Sequence, residues 1–138
     1  MESPARTTNR FQAGDSALIV DRKARQYLIT LVCGETFHSH LGRLFHDQVI
    51  DHTVGGWYRQ DKGHTVLAVR PTLCDFVRKM PRGPQIIYPK DLGNITNFAD
   101  IFPGATVIEG GLGSGSLTSA MRRAFSAARG TSIIVPTM

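Results

Sequence analysis

One stretch, Glu109-Gly110-Gly111-Leu112-Gly113-Ser114-Gly115, restricts this chain more than any other. It reads E-x-G-x-G-x-G, follows the apolar Ala105-Thr106-Val107-Ile108, and opens a helix-like segment from Ser116 to Arg129. A strand that runs through a glycine turn into a helix N-terminus builds a cradle for a phosphate or ribose. Only nine residues follow Arg129. The sequence therefore predicts the start of a parallel α/β sheet and leaves the rest of it unsupplied.

Before that stretch the pattern is different. Ala17-Leu18-Ile19-Val20 and Tyr27-Leu28-Ile29-Thr30-Leu31-Val32 are short β-rich runs on either side of the charged turn Asp21-Arg22-Lys23-Ala24-Arg25. A third run surrounds Glu35-Thr36-Phe37-His38, and a fourth is Thr65-Val66-Leu67-Ala68-Val69, with turns expected at Gly55-Gly56 and Lys62-Gly63. These predict a small, mostly antiparallel β domain. Thr72-x-x-Asp75 has the form of a capping box, and Pro81 stops the helix it begins. Pro81-Arg82-Gly83-Pro84 breaks the chain, Gln85 to Tyr88 is extended, and Asp91 is placed to cap a helix through about Phe98. Ile133-Ile134-Val135 is the next strand and completes one βαβ unit.

Lys and Arg number 16 against 11 Asp and Glu, a net +5, with a pI near 9.7. That balance suits a nucleic-acid partner without requiring one. Two cysteines, Cys33 and Cys74, make no disulfide framework. With no signal-peptide pattern and no apolar run near the ~20 residues that span a bilayer, the sequence predicts a soluble, cytoplasmic protein without a membrane partner.

In the glycine loop, Gly111, Gly113 and Gly115 permit positive φ and close approach of backbone to a ligand. The free N–H groups of the following helix favour an anionic or polar ligand group. Glu109 offers an acceptor to a ligand amine or hydroxyl. Dinucleotides and S-adenosylmethionine compete for such a loop. The dinucleotide spacing is G-x-G-x-x-G, whereas here it is G-x-G-x-G led by an acid, the pattern of class I methyltransferases.

The wider sequence carries a resemblance. Arg70-Pro71-Thr72-Leu73, Met80-Pro81-Arg82-Gly83-Pro84-Gln85, Ile87-Tyr88-Pro89-Lys90-Asp91 and Asp100-Ile101-Phe102-Pro103-Gly104-Ala105 follow one another at a telling spacing. In order and spacing they resemble the tRNA (adenine-N1)-methyltransferases that modify adenine 58 of the T loop. Gly14-Asp15, Asp21-Arg22-Lys23, Phe37-His38-Ser39-His40 and His46-Asp47 resemble that family's N-terminal β domain. The resemblance runs from about Phe11 to Arg123. It implies an α/β chain with an N-terminal small β domain over residues 1–72, on the tRNA-binding side. Residues 73–138 are then the start of a truncated, Rossmann-like class I methyltransferase domain.

The resemblance also implies roles. Glu109, Gly111, Gly113, Ser114, Gly115, Ser116 and Leu117 match the loop that contacts S-adenosylmethionine, and Ile87 falls in the segment lining the cleft. Tyr88 matches the tyrosine beside the target adenine and is the expected catalytic residue. Gln85, Arg82 and Lys90 are expected on the substrate side. tRNA is the implied partner, and tetramers are the implied assembly of intact members.

There are departures too. Gly110 stands where the family usually has alanine, Leu112 where it has a small residue that leaves room for the cofactor, and Ala24 where a turn glycine is usual. The family's second strand ends in an acid that holds the ribose hydroxyls. Ser132 to Met138 contains none, and the catalytic aspartate has no counterpart in the chain. The isolated chain is therefore expected to be inactive alone. The alternative is a non-catalytic remnant that binds tRNA or an intact subunit.

Rival sites are weaker. His38, His40, His46, His52 and His64 show no H-x-x-x-H or C-x-x-C spacing, so no metal is expected. Arg22, Lys23, Arg25, Arg78, Lys79, Arg82 and Lys90 are candidate phosphate contacts, and Arg122 and Arg123 are read as structural or exposed. Cys74 is expected as a core thiol.

Overall fold

A computed structural model describes residues 9–80 and 85–124 and the backbone of Phe125 and of Thr131–Val135. The chain divides into two compact units, Met1–Asp75 and Phe76–Met138.

The first unit is antiparallel. Strands β1 (Ser16–Asp21), β2 (Gln26–Thr30), β5 (Gly56–Arg59) and β6 (Thr65–Val69) form one sheet in the order β2-β1-β6-β5. Strands β3 (Thr36–Ser39) and β4 (Gly42–Phe45) form a separate hairpin. Register explains the core. Ile19 lies opposite both Tyr27 and Ala68, Ala17 opposite Ile29, and Tyr58 opposite Val66, so these side chains share one face. Phe11, Leu31, Leu44 and Val49 complete the buried cluster on that face. Asp15 is buried with them, and its carboxylate accepts from Arg70 Nη1 at 3.0 Å and from the Gln12 N–H at 3.0 Å. The buried His46 lies in a single 3-10 turn (His46–Gln48), where its Nδ1 accepts the Val32 N–H at 3.0 Å.

β4 and β5 are strands that the residue pattern did not predict. Each is four residues long and begins with glycine, and Gly56, read as a turn residue, pairs with Ala68 instead. The turn at 21–25 holds a further surprise, since Ala24 takes φ +60. It occupies, with a Cβ, the left-handed conformation that glycine adopts freely.

Helix α1 (Leu73–Lys79) spans the division between the units. Its capping box forms as expected: Asp75 N–H donates to Thr72 Oγ1 at 3.1 Å, and Thr72 N–H donates to Asp75 Oδ2 at 2.9 Å. Cys74 is exposed, correcting the core-thiol expectation. It sits in the first turn of a short helix whose buried residue is Val77, nearly a turn further on.

In the second unit, helix α2 (Pro89–Phe98) begins two residues before Asp91. Tyr88 is its N-cap residue and Pro89 its first helical residue, because a ring-fixed φ and a missing N–H cost nothing there. Strand β7 (Thr106–Gly110), helix α3 (Ser116–Phe125) and strand β8 (Thr131–Val135) form the expected βαβ unit, with β7 and β8 parallel in the register Thr106 to Thr131 through Gly110 to Val135. The part of the expected helix beyond Phe125 lies outside the described residues. α2 packs against α3.

Candidate cofactor site

The loop between β7 and α3 has the backbone that its glycines suggest. Gly111, Gly113 and Gly115 take φ of +81, +52 and +77. A Cβ built on Gly113 or Gly115 would meet nothing within 4 Å. Glycine is therefore needed there for its dihedral, and the space in front of the loop is open. The Gly115 N–H donates to the Leu112 carbonyl at 2.9 Å, and the Ser119 N–H to Gly115 at 2.9 Å, so the turn runs directly into α3. The first N–H groups of that helix have no acceptor within it and face the loop. Leu112 points outward and is about half exposed.

Two contacts tie the loop to its surroundings. Ser116 is buried, and its Oγ accepts the Ile87 N–H at 3.2 Å, which brings the 85–88 segment against the start of α3. Ser114 Oγ lies 3.2 Å from Ser116 Oγ, extending the chain of hydroxyls into the loop. On the strand side, Thr118 Oγ1 donates to Glu109 Oε2 at 2.6 Å. Thr118 was not among the expected residues. Its signal was a hydroxyl two positions into a helix that directly follows an acid-led glycine loop, where it can reach back to the strand end.

Ile87, Glu109, Gly111, Gly113, Ser114, Gly115, Ser116 and Leu117 thus lie on one strand end, one loop and one helix start, with Ile87 joined by hydrogen bond. Tyr88 caps α2 next to Ile87, its side chain half exposed. Gln85 and Lys90 are exposed on either side of it. Arg82 lies outside the described residues. Among the described residues no three of His, Cys, Asp and Glu gather as a metal site. No described helix is long and apolar enough to cross a membrane.

Residues 10–56 match the family described as TrmI-like N-terminal, and residues 64–131 match the tRNA methyltransferase complex GCD14 subunit family. The chain belongs to the tRNA (adenine-N1)-methyltransferase family. It is 37% identical over 107 residues to the tRNA (adenine(58)-N(1))-methyltransferase TrmI of Thermus thermophilus, covering 78% of this chain and 42% of that protein. It is 34% identical over 114 residues to the catalytic subunit TRM61 of Cryptococcus neoformans, covering 81% of this chain and 26% of that one. The chain therefore spans less than half the length of these relatives.

Solved structures agree with the family. The crystal structure of tRNA (m1A58) methyltransferase TrmI from Aquifex aeolicus matches with a TM-score of 0.67 at 28% identity, covering 85% of this chain and 45% of that one. A SAM-dependent O-methyltransferase from Thermotoga maritima matches with a TM-score of 0.78 at 28% identity, covering 88% and 46%. The fold is α/β, with a small β unit ahead of the start of a Rossmann-like methyltransferase domain.

Proposed function

We propose that this chain contributes the cofactor loop and the adenine-facing tyrosine to methylation of adenine 58 N1 in tRNA, with S-adenosylmethionine as methyl donor. The observation that carries this reading is the hydrogen bond from the Ile87 N–H to Ser116 Oγ, which holds the Tyr88 segment against the glycine loop. Open space before Gly113 and Gly115 fits a ligand that approaches the backbone closely. Ser114 and Ser116 offer hydroxyls, and Glu109, steadied by Thr118, offers an acceptor to a ligand amine or hydroxyl.

S-adenosylmethionine, when bound, supplies the electrophilic methyl group. The chain's own part is to orient: Tyr88 offers an exposed ring and hydroxyl to an adenine turned out of its stack, and the loop fixes the partner it must meet. The domain division at residue 72 and the tetrameric association of intact members belong to the same proposal.

A second reading, a tRNA- or subunit-binding chain without catalysis, is favoured by one observation. β8 pairs directly with β7, yet Thr131–Val135 contains no acid to hold a ribose. Equilibrium dialysis against S-adenosylmethionine tests the first reading, with Gly113→Val as the comparison. Saturable binding that the substitution removes is the expected result, and its absence in the unsubstituted chain would sink the cofactor assignment. The 138-residue chain alone is expected to leave tRNA unmethylated.

A further inference from the structure

The first unit is close to balanced in charge, yet its charges are segregated by the topology. β1 pairs antiparallel with both β2 and β6, and β5 with β6, so the turns at 21–25 and 60–64 emerge at the same end of the sheet. Arg22 Nε stitches them together by donating to Thr65 Oγ1 at 3.0 Å. The β3–β4 turn docks at that end as well, where Gln60 Nε2 donates to Ser39 Oγ at 3.0 Å and to the Gly42 carbonyl at 3.1 Å. This one end therefore gathers Arg22, Lys23, Arg25, Arg43, Arg59 and Lys62.

The two acids at the same end are already engaged. Asp21 accepts Arg25 Nε at 2.7 Å and the N–H groups of Lys23 and Arg25, and Asp61 accepts Arg43 Nε at 2.7 Å. Arg22, Lys23, Arg59 and Lys62 form no ion pair among the described residues, and all four are exposed. The other end of the unit has the opposite character, with Asp15, Glu35, Asp47 and Asp51 against Arg10 and Arg70. Overall basicity does not produce such a division, because Asp and Glu balance Lys and Arg almost evenly within the unit.

We infer that the turn end of this sheet is a docking surface for the phosphate backbone of RNA, with Arg22, Lys23, Arg59 and Lys62 as its contacts. Adjacent strands lie about 4.8 Å apart, so unpaired cations on neighbouring turns form a row that follows a polyanion rather than a single ion. Such contacts position a nucleic acid without reading its sequence. The inference rests on the proposal that the chain acts on tRNA.

The test is the salt dependence of tRNA binding by the full chain and by the variant R22Q/K23Q/R59Q/K62Q. Each lost phosphate contact removes roughly 0.7–0.9 from the slope of log K against log salt. The expected outcome is a slope smaller by about three and an affinity at least about tenfold weaker at low salt. The pair K23Q/K62Q, whose side chains make no hydrogen bond among the described residues, should show about half the change in slope with an unchanged unfolding midpoint. R122Q/R123Q, on α3, should leave the slope as it is.

A tRNA transcript with guanine in place of the target adenine should show the same loss of slope. An unchanged slope in the fourfold variant overturns the surface while leaving the tRNA reading intact. Loss of the effect with the guanine transcript overturns backbone docking. Failure of the unsubstituted chain to bind tRNA overturns both.

Discussion

Gly42 is the position at which a single methyl group should do most damage to the first unit. It closes the turn between β3 and β4 with φ +134, a region reserved for glycine. A Cβ there would sit 2.6 Å from Asp61 Oδ1, 3.3 Å from Lys62 Cβ and 3.4 Å from Gln60 Cβ. The dihedral alone costs an L-residue about 1–3 kcal/mol. Relief of the contact requires Asp61 to move, and Asp61 is what accepts the Arg43 N–H at 2.8 Å and Arg43 Nε at 2.7 Å. The Gly42 carbonyl would shift too, loosening its bonds from Ser39 and Gln60. Gly42→Ala should therefore lower stability by at least about 2 kcal/mol.

Urea unfolding followed by Trp57 fluorescence measures this, since that residue, the chain's one tryptophan, lies on β5 in the same unit. Gly14→Ala is the control: φ is +90, but a Cβ meets nothing within 4 Å, so only the dihedral term remains. If Gly42→Ala costs no more than Gly14→Ala, the packing of the turn against Asp61 does not matter and the reasoning fails.

Three further outcomes are expected. Ala24→Gly should stabilise the chain by about 0.5 kcal/mol, as relief of roughly 1–2 kcal/mol of left-handed strain exceeds the 0.4–1 kcal/mol of added unfolded-state freedom; a lower urea midpoint would contradict this. Thr118→Val removes the donor at 2.6 Å from Glu109 and should weaken S-adenosylmethionine binding about tenfold, with Thr118→Ser restoring it; equal affinity in all three proteins would remove Thr118 from the site. Burial pushes the Asp21 carboxyl up, but the Arg25 N–H and guanidinium and the Lys23 N–H outweigh it and hold it below the ordinary carboxylate value; Arg43 does the same for Asp61. Because both folded values are depressed, the unfolded chain binds more protons, and their stabilisation is full above about pH 4 and lost as pH falls through the folded values. The acid limb of stability against pH should flatten in D21N and D61N; an unchanged limb would refute the assignment.

The sequence made much of this legible where the local signal and the tertiary outcome coincide. The β-rich runs Ala17–Val20 and Thr65–Val69, the Thr72–Asp75 box and the acid-led glycines each act over a few residues, and each appears where expected. β4 and β5 did not, because a four-residue strand led by glycine carries almost no propensity of its own and is specified by its partners. α2 starts two residues before Asp91, the acid that suggests a cap, because the ring of Pro89 sets the boundary and leaves Asp91 in the first turn. In the site, glycine spacing announced the loop, whereas the Ser116–Ile87 and Thr118–Glu109 contacts join residues 29 and 9 apart. No short-range pattern encodes a pairing of that kind.

The parallel pairing of β7 with β8 sets an order of events as the chain is made. β1 and β2 are joined by a short turn, so their hairpin can close as soon as Thr30 has left the ribosome. β7 has no such neighbour: its partner follows only after the loop and α3 have been synthesised. Until then Ile108, which stays 69% exposed with β8 in place, stands on a strand without its β8 partner. The glycine loop therefore acquires its shape later than the β1–β2 hairpin, and a ligand bound there would bias a later step of folding rather than the first.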